Sequence, residues 1–134
     1  MRKDINPPPV EDVALAVVKE ENELGSIEWN VYAINLKNET IEGVLVTSKG
    51  YGSLNGEDVK TSTLRHFLDT IPSKGFAKVE LIVENLFGIH NEYWLSFYLN
   101  KVMYDKKYIF LAESIREENL IIIPLINKKG VMIK

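Results

Sequence analysis

Asn91-Glu92-Tyr93-Trp94-Leu95-Ser96-Phe97-Tyr98-Leu99, then Asn100-Lys101, then Val102-Met103-Tyr104-Asp105-Lys106-Lys107-Tyr108-Ile109-Phe110-Leu111, is the stretch that decides the fold. Two runs of β-forming residues flank a two-residue turn, although Gly is the preferred second residue of such a turn. Successive side chains on a strand point to opposite faces. Folded back as a hairpin, the stretch brings Tyr93, Phe97, Tyr104 and Tyr108 onto one face, where aromatic pairs stabilise a sheet. Trp94 and Tyr98 then fall on the other face, and an exposed aromatic face favours binding.

The same alternation recurs on both sides of this hairpin. Val10 to Lys19 reads as a strand buried on at least one face. Ile27 to Leu36 places Trp29, Val31 and Ala33 opposite Tyr32, Ile34 and Leu36, and Ile41 to Ser48 resumes after Lys37-Asn38-Glu39-Thr40. A turn there makes these two segments a second hairpin. Phe76 to Phe87 sets Val79, Leu81 and Val83 against Lys78, Glu80, Ile82 and Glu84. Gly50-Tyr51-Gly52-Ser53-Leu54-Asn55-Gly56 reads as a loop. Residues 59–71 carry two patterns: Val59, Thr61 and Thr63 suit a strand, whereas Leu64, Phe67, Leu68 and Ile71 have helical spacing. The expectation is a strand entering near 58, with at most one short helix near 62–70, stopped by Pro72.

About seven short strands at regular spacing predict an all-β fold (or a β-rich α+β one), an antiparallel sandwich or barrel. The segment Leu68-Asp69-Thr70-Ile71-Pro72-Ser73-Lys74-Gly75-Phe76 resembles the connection between the middle strands of immunoglobulin-like sandwiches, without that domain's cysteine pair. The expected architecture is an immunoglobulin-like β-sandwich over residues 10–134, preceded by an extended lead-in over 1–9 set by Pro7-Pro8-Pro9.

Length and composition agree with a single domain. The 134 residues are 46% hydrophobic and 26% charged, a globular balance large enough for one core. With no cysteine, disulfides, thiolate metal sites and cysteine nucleophiles are excluded, and a reducing compartment is suited. The N-terminal stretch has no apolar segment of signal-peptide type, and no apolar run reaches the length of a membrane helix. These features point to the cytoplasm and away from a membrane. The net charge is −3, which argues against a general nucleic-acid binder.

No catalytic constellation stands out, and no motif calls for a cofactor. The Gly50–Gly56 spacing is G-x-G-x-x-x-G, followed at once by Glu57-Asp58, two carboxylates that repel a phosphate. His66, within Arg65-His66-Phe67-Leu68-Asp69, is the one residue placed to act as an oriented base, with Asp69 or Arg65 as its partner. Two histidines, His66 and His90, make no metal site. The candidate binding residues are therefore Trp94, Tyr98, Tyr51, Arg65 and His66. Leu120-Ile121-Ile122-Ile123-Pro124-Leu125-Ile126 reads as an edge strand because of Pro124. An open edge of that composition has to be buried or paired, so Ile121, Ile123 and Leu125 are the candidate interface of a homodimer.

Three stretches carry a family resemblance: Glu28-Trp29-Asn30-Val31-Tyr32, Lys60-Thr61-Ser62-Thr63-Leu64-Arg65-His66-Phe67, and Asn91 to Tyr98 with Tyr104-Asp105-Lys106-Lys107. They resemble a family of short bacterial proteins of about this length, often labelled phenylalanine–tRNA ligase β subunit. The resemblance implies an accessory role in translation, with tRNA or a synthetase as partner. It carries over no catalytic residue. The chain's three arginines, Arg2, Arg65 and Arg116, form none of the arginine-centred motifs of class II synthetases. The first function expected is a non-enzymatic protein-interaction module, with the translation role and an enzyme using His66 as alternatives.

Overall fold

A computed structural model describes residues 8–134. Among the described residues, ten strands form two antiparallel sheets packed face to face. They are β1 (Val13–Glu21), β2 (Ile27–Asn35), β3 (Ile41–Leu54), β4 (Glu57–Lys60), β5 (Leu64–Ile71), β6 (Gly75–Ile82), β7 (His90–Leu99), β8 (Val102–Phe110), β9 (Ile121–Ile122) and β10 (Lys129–Ile133). The first sheet runs β6-β2-β1-β10-β9. The second runs β4-β3-β7-β8, with β5 also paired to β3. The sandwich is as expected. Of the N-terminal lead-in, residues 1–7 lie outside the described residues.

The β7–β8 hairpin folds as its sequence directs. Tyr93 pairs with Tyr108 and Phe97 with Tyr104, and the last two rings stack at 5.2 Å. Asn100 and Lys101 both take positive φ, 51° and 65°, which is the two-residue turn whose twist matches the strands. Between the sheets, Val13, Leu15, Val17, Val31, Val44, Val46, Tyr93, Leu95 and Phe97 are buried in one core. The Tyr108 hydroxyl donates to the Val13 carbonyl oxygen at 2.6 Å, tying the second sheet to the first.

Several local readings are corrected. β2 and β3 are not a hairpin: β2 pairs with β1 and β6, and β3 with β4, β5 and β7. Lys37 to Thr40 crosses from one sheet to the other. The fully buried Asn35 side chain holds that crossing. Its amide donates to the carbonyl oxygens of Glu39, Ile71 and Pro72, and its oxygen accepts from the Lys37 N–H. These bonds give the crossing chain the partners that a hairpin would have supplied.

The Gly50–Gly56 loop is also corrected: β3 runs straight through it to Leu54. Only Asn55 and Gly56 turn, with φ of 54° and 80°. Glycines are placed there because the neighbours are close: a Cβ on Gly50 would lie 3.0 Å from Ile89. Residues 62–70 form no helix. β5 pairs with β3 from Ser48↔Leu64 to Ile41↔Ile71, and the ladder's hydrogen bonds override a helical spacing of only two turns. On β6, a bulge opposite Val31 and Tyr32 shifts the alternation. Ile82, not Leu81, enters the core, at 4% against 49% exposed.

The 120–126 run forms a strand only at Ile121–Ile122. The chain then folds over the outer face of the first sheet. Ile123 is fully buried against Ala14, Ala16, Val18 and Ile34, with Leu125 and Ile126 packed alongside. The alanines on β1 match this cover, because small side chains let a third layer approach. Ile123 and Leu125 therefore spend their apolar surface inside the chain. Of the three candidate interface residues only Ile121 stays open, 50% exposed.

Candidate binding face and the Glu80 cleft

The sandwich has two outer faces, and they end differently. One is covered over its middle, at β1 and the adjoining part of β2, by residues 120–128, while Phe76 and Leu81 on β6 stay 44% and 49% exposed. The other belongs to β5, β3, β7 and β8. Paired residues on neighbouring strands share a face, so the register fixes its content. One row runs Phe67, Leu45, Ser96, Asp105, and the next runs Arg65, Thr47, Trp94, Lys107. Tyr98 pairs with Met103 beyond the first row, and Lys49, Glu92 and Ile109 form the row beyond the second.

This face is apolar at its centre and charged at its margins. Trp94, Tyr98, Met103 and Phe67 are 46%, 47%, 48% and 67% exposed. Isolated exposed apolar residues are ordinary, but a contiguous group with a polar rim marks an interaction site. A shallow depression of about 340 Å3 lies among Leu45, Thr47, Trp94, Met103 and Asp105. The Lys107 ammonium stands 5.0 Å from the Trp94 ring centroid. Beside it, the buried Glu92 carboxylate accepts from the Tyr51 hydroxyl at 3.1 Å and faces Lys49 at 3.8 Å. Burial first, and then the Glu92 carboxylate, raises the Tyr51 hydroxyl's pKa. Tyr51 thus anchors Glu92 at one margin of the face.

Of the sequence candidates, the structure brings Trp94, Tyr98 and Arg65 onto this one face, with Tyr51 at its border. His66 points the other way, because it pairs with the buried Val46. Phe67, Leu45 and Met103 were missed. Strand period alone assigns each residue a side, but only the β3–β5 and β7–β8 registers put these three on the same side as Trp94.

His66 instead reaches Glu80, which together with Ser48 and Tyr93 lines a cleft of about 330 Å3 at the gap between the sheets. Its Nε2 meets Glu80 Oε1 at 2.7 Å, not Asp69 or Arg65, which are exposed. The Ser48 hydroxyl donates to the same Oε1 at 2.8 Å, and the Tyr93 hydroxyl to Oε2 at 3.0 Å. Burial, followed by the Glu80 charge and hydrogen bond, raises the Tyr93 hydroxyl's pKa well above its ordinary value. A nucleophile needs the base on its own oxygen. Here Ser48 and His66 both spend their hydrogen bonds on the carboxylate, so Glu80 works as a clamp from β6 onto β3, β5 and β7. Glu80→Ala is expected to cost about 2 kcal/mol, because it strands the buried Tyr93 hydroxyl. The cost should shrink in a Tyr93→Phe background. Urea unfolding of the four proteins checks this, and an equal cost in both backgrounds would contradict the clamp.

No helix among the described residues is long and apolar enough to cross a membrane. No group of three or more potential metal-ligating His, Cys, Asp or Glu side chains occurs among them. No protein-family model matches the chain, and no curated protein or solved structure is similar to it at a significant level.

Proposed function

We propose that this chain is a non-enzymatic, immunoglobulin-like interaction module that binds protein through the outer face of β5, β3, β7 and β8. The immunoglobulin-like reading is supported by the pairing order β1–β2–β6 in one sheet and β5–β3–β7–β8 in the other, the arrangement of two sheets exchanging strands that such sandwiches use. The cytoplasm is the proposed setting, in keeping with a chain that folds without cysteine.

The observation that carries the binding reading is the contrast between the two outer faces. The chain folds its own residues 120–128 over the middle of one and leaves the middle of the other, with Trp94, Tyr98 and Met103, uncovered beside Phe67. Trp, Tyr and Met are enriched at the centres of protein interfaces, and a polar rim excludes water around them. The rim mixes Arg65, Lys49 and Lys107 with Glu92 and Asp105, a two-signed pattern that suits protein rather than a phosphate backbone.

The expected result is that immobilised chain retains protein, this chain itself included, and that Trp94→Ala or Tyr98→Ala weakens the interaction at least about tenfold, as truncation of a hot-spot residue does. Both variants should melt close to the wild-type temperature, because both side chains are half exposed. Leu24→Ala, at the exposed β1–β2 tip, should change nothing. Retention unaltered in both aromatic variants would overturn the proposal. So would a wild-type chain that retains no protein and is monomeric.

A further inference from the structure

The open face carries charges that find no ion-pair partner among the described residues. Asp105, Lys107, Arg65 and Glu42 make no salt bridge among the described residues. Their positions on the sheet lattice are fixed by register, and they are complementary to themselves. On β8, Asp105 and Lys107 are successive outward residues. On β5, Phe67 and Arg65 are; on β3, Glu42 and Lys49 point outward near opposite ends of the face.

We infer that the occupant of this face is a second copy of the same chain, packed face to face about a two-fold axis that crosses the strands between the Ser96 and Trp94 rows. This rests on the binding reading above and names its partner. A two-fold axis lying in the interface preserves position along the axis and inverts position across it, and the interface is isologous. With the axis across the strands, each strand meets its own counterpart running the opposite way. Asp105 then faces the other copy's Lys107, and Lys107 its Asp105. Phe67 faces the other guanidinium of Arg65, and Glu42 faces Lys49. Trp94, the largest side chain on the face, stands over the small Ser96, which lets the two layers interdigitate as aligned sheets do.

The alternative, an axis along the strands, sets Arg65 against Lys107, two exposed cations in direct opposition. Like charges so placed oppose association. The charge pattern therefore selects the orientation as well as the partner. The resulting dimer would be a four-layer stack of sheets, with the 120–128 segments as its outer skins.

The test is sedimentation of the full chain with charge exchange on β8. Wild type is expected to be a dimer. Asp105→Lys or Lys107→Asp alone creates two like-charge contacts per dimer and should raise the dissociation constant at least about tenfold. An equimolar mixture of these two single variants should reassociate as a heterodimer, because one copy then presents two lysines and the other two aspartates. The double exchange Asp105→Lys/Lys107→Asp should restore the homodimer. Should either β8 variant fail to fold, Glu42→Lys reads the same axis through Lys49 and should also dissociate the dimer.

A monomeric wild type overturns the inference. So does a dimer indifferent to these changes, or a mixture that does not pair. If the wild type is monomeric yet retains another protein in a Trp94-dependent way, the binding reading survives and only the identity of the partner falls.

Discussion

Gly130→Ala is expected to lose about 3 kcal/mol of stability, near the upper end of what an overpacked interior costs. A Cβ on Gly130 would lie 2.4 Å from the Val17 carbonyl oxygen, 3.0 Å from the Val18 Cα and 3.0 Å from Ile123. Two of these neighbours are backbone atoms of β1, the middle strand of its sheet, and cannot turn aside. The methyl group must push β10 away from β1. The residues linked to β10 are those that cover Ala14, Ala16 and Val18, so the displacement also uncovers apolar surface. Gly56→Ala is the natural control: its φ of 80° strains an alanine, but a Cβ there meets nothing within 4 Å. It should cost only about 1 kcal/mol. Urea midpoints of the two variants decide the matter, and equal losses would show that the close approach at Gly130 carries no weight.

Stability is expected to fall steeply above about pH 10, where tyrosines of the unfolded chain ionise. Burial raises the pKa of the Tyr93 and Tyr108 hydroxyls, and the Glu80 charge adds to it at Tyr93. Tyr32 follows the same direction, from burial and then from its hydrogen bond to Glu20. The folded state therefore keeps its protons longer than the unfolded state does. A group with a raised folded pKa contributes its full stability below the unfolded pKa and loses it as pH climbs toward the folded one. Each such buried tyrosine removes about 1.4 kcal/mol per pH unit in that window, so Tyr93 and Tyr108 together remove about 3 kcal/mol per unit. Urea midpoints measured from about pH 9 to about pH 11 read the slope. Tyr93→Phe should take one group out of it. A flat profile, or an unchanged slope in that variant, would mean that these hydroxyls are free to ionise in place.

Strand period two was strong enough to place β7, β8, β1 and β2, and to set Trp94 and Tyr98 opposite Tyr93 and Phe97. Pairing between strands was harder. A four-residue link such as Lys37–Thr40 serves a hairpin or a crossing equally well, and the difference lies in what Asn35 bonds to, more than thirty residues away at Ile71 and Pro72. The full length of β3 is hidden in the sequence because glycine usually breaks a strand, yet here glycines admit Ile89 and Thr61. Asn55-Gly56 was a hairpin signal in plain view. The partner of His66 was hidden for a different reason. Glu80 sits on another strand in the other sheet, and no spacing along the chain encodes that meeting. The binding face was half legible, since its aromatics follow from alternation and its charge pattern only from register.

The position of β1 also bears on how the protein is made. β1 pairs with β2 on one side and with β10 on the other. Leu15 to Val18 find their second set of partners at residues 130–133, so a loop of more than a hundred residues has to close before that strand is complete. Contacts this distant in sequence slow folding. On the ribosome, β1 and its hairpin partner emerge before β10 and then wait, with Ala14, Ala16 and Val18 bare, until residues 120–133 have been synthesised. A ribosome that stalls within residues 120–133 would release a chain with an open sheet edge and an unsheltered apolar layer, the two features that recruit chaperones or seed aggregates.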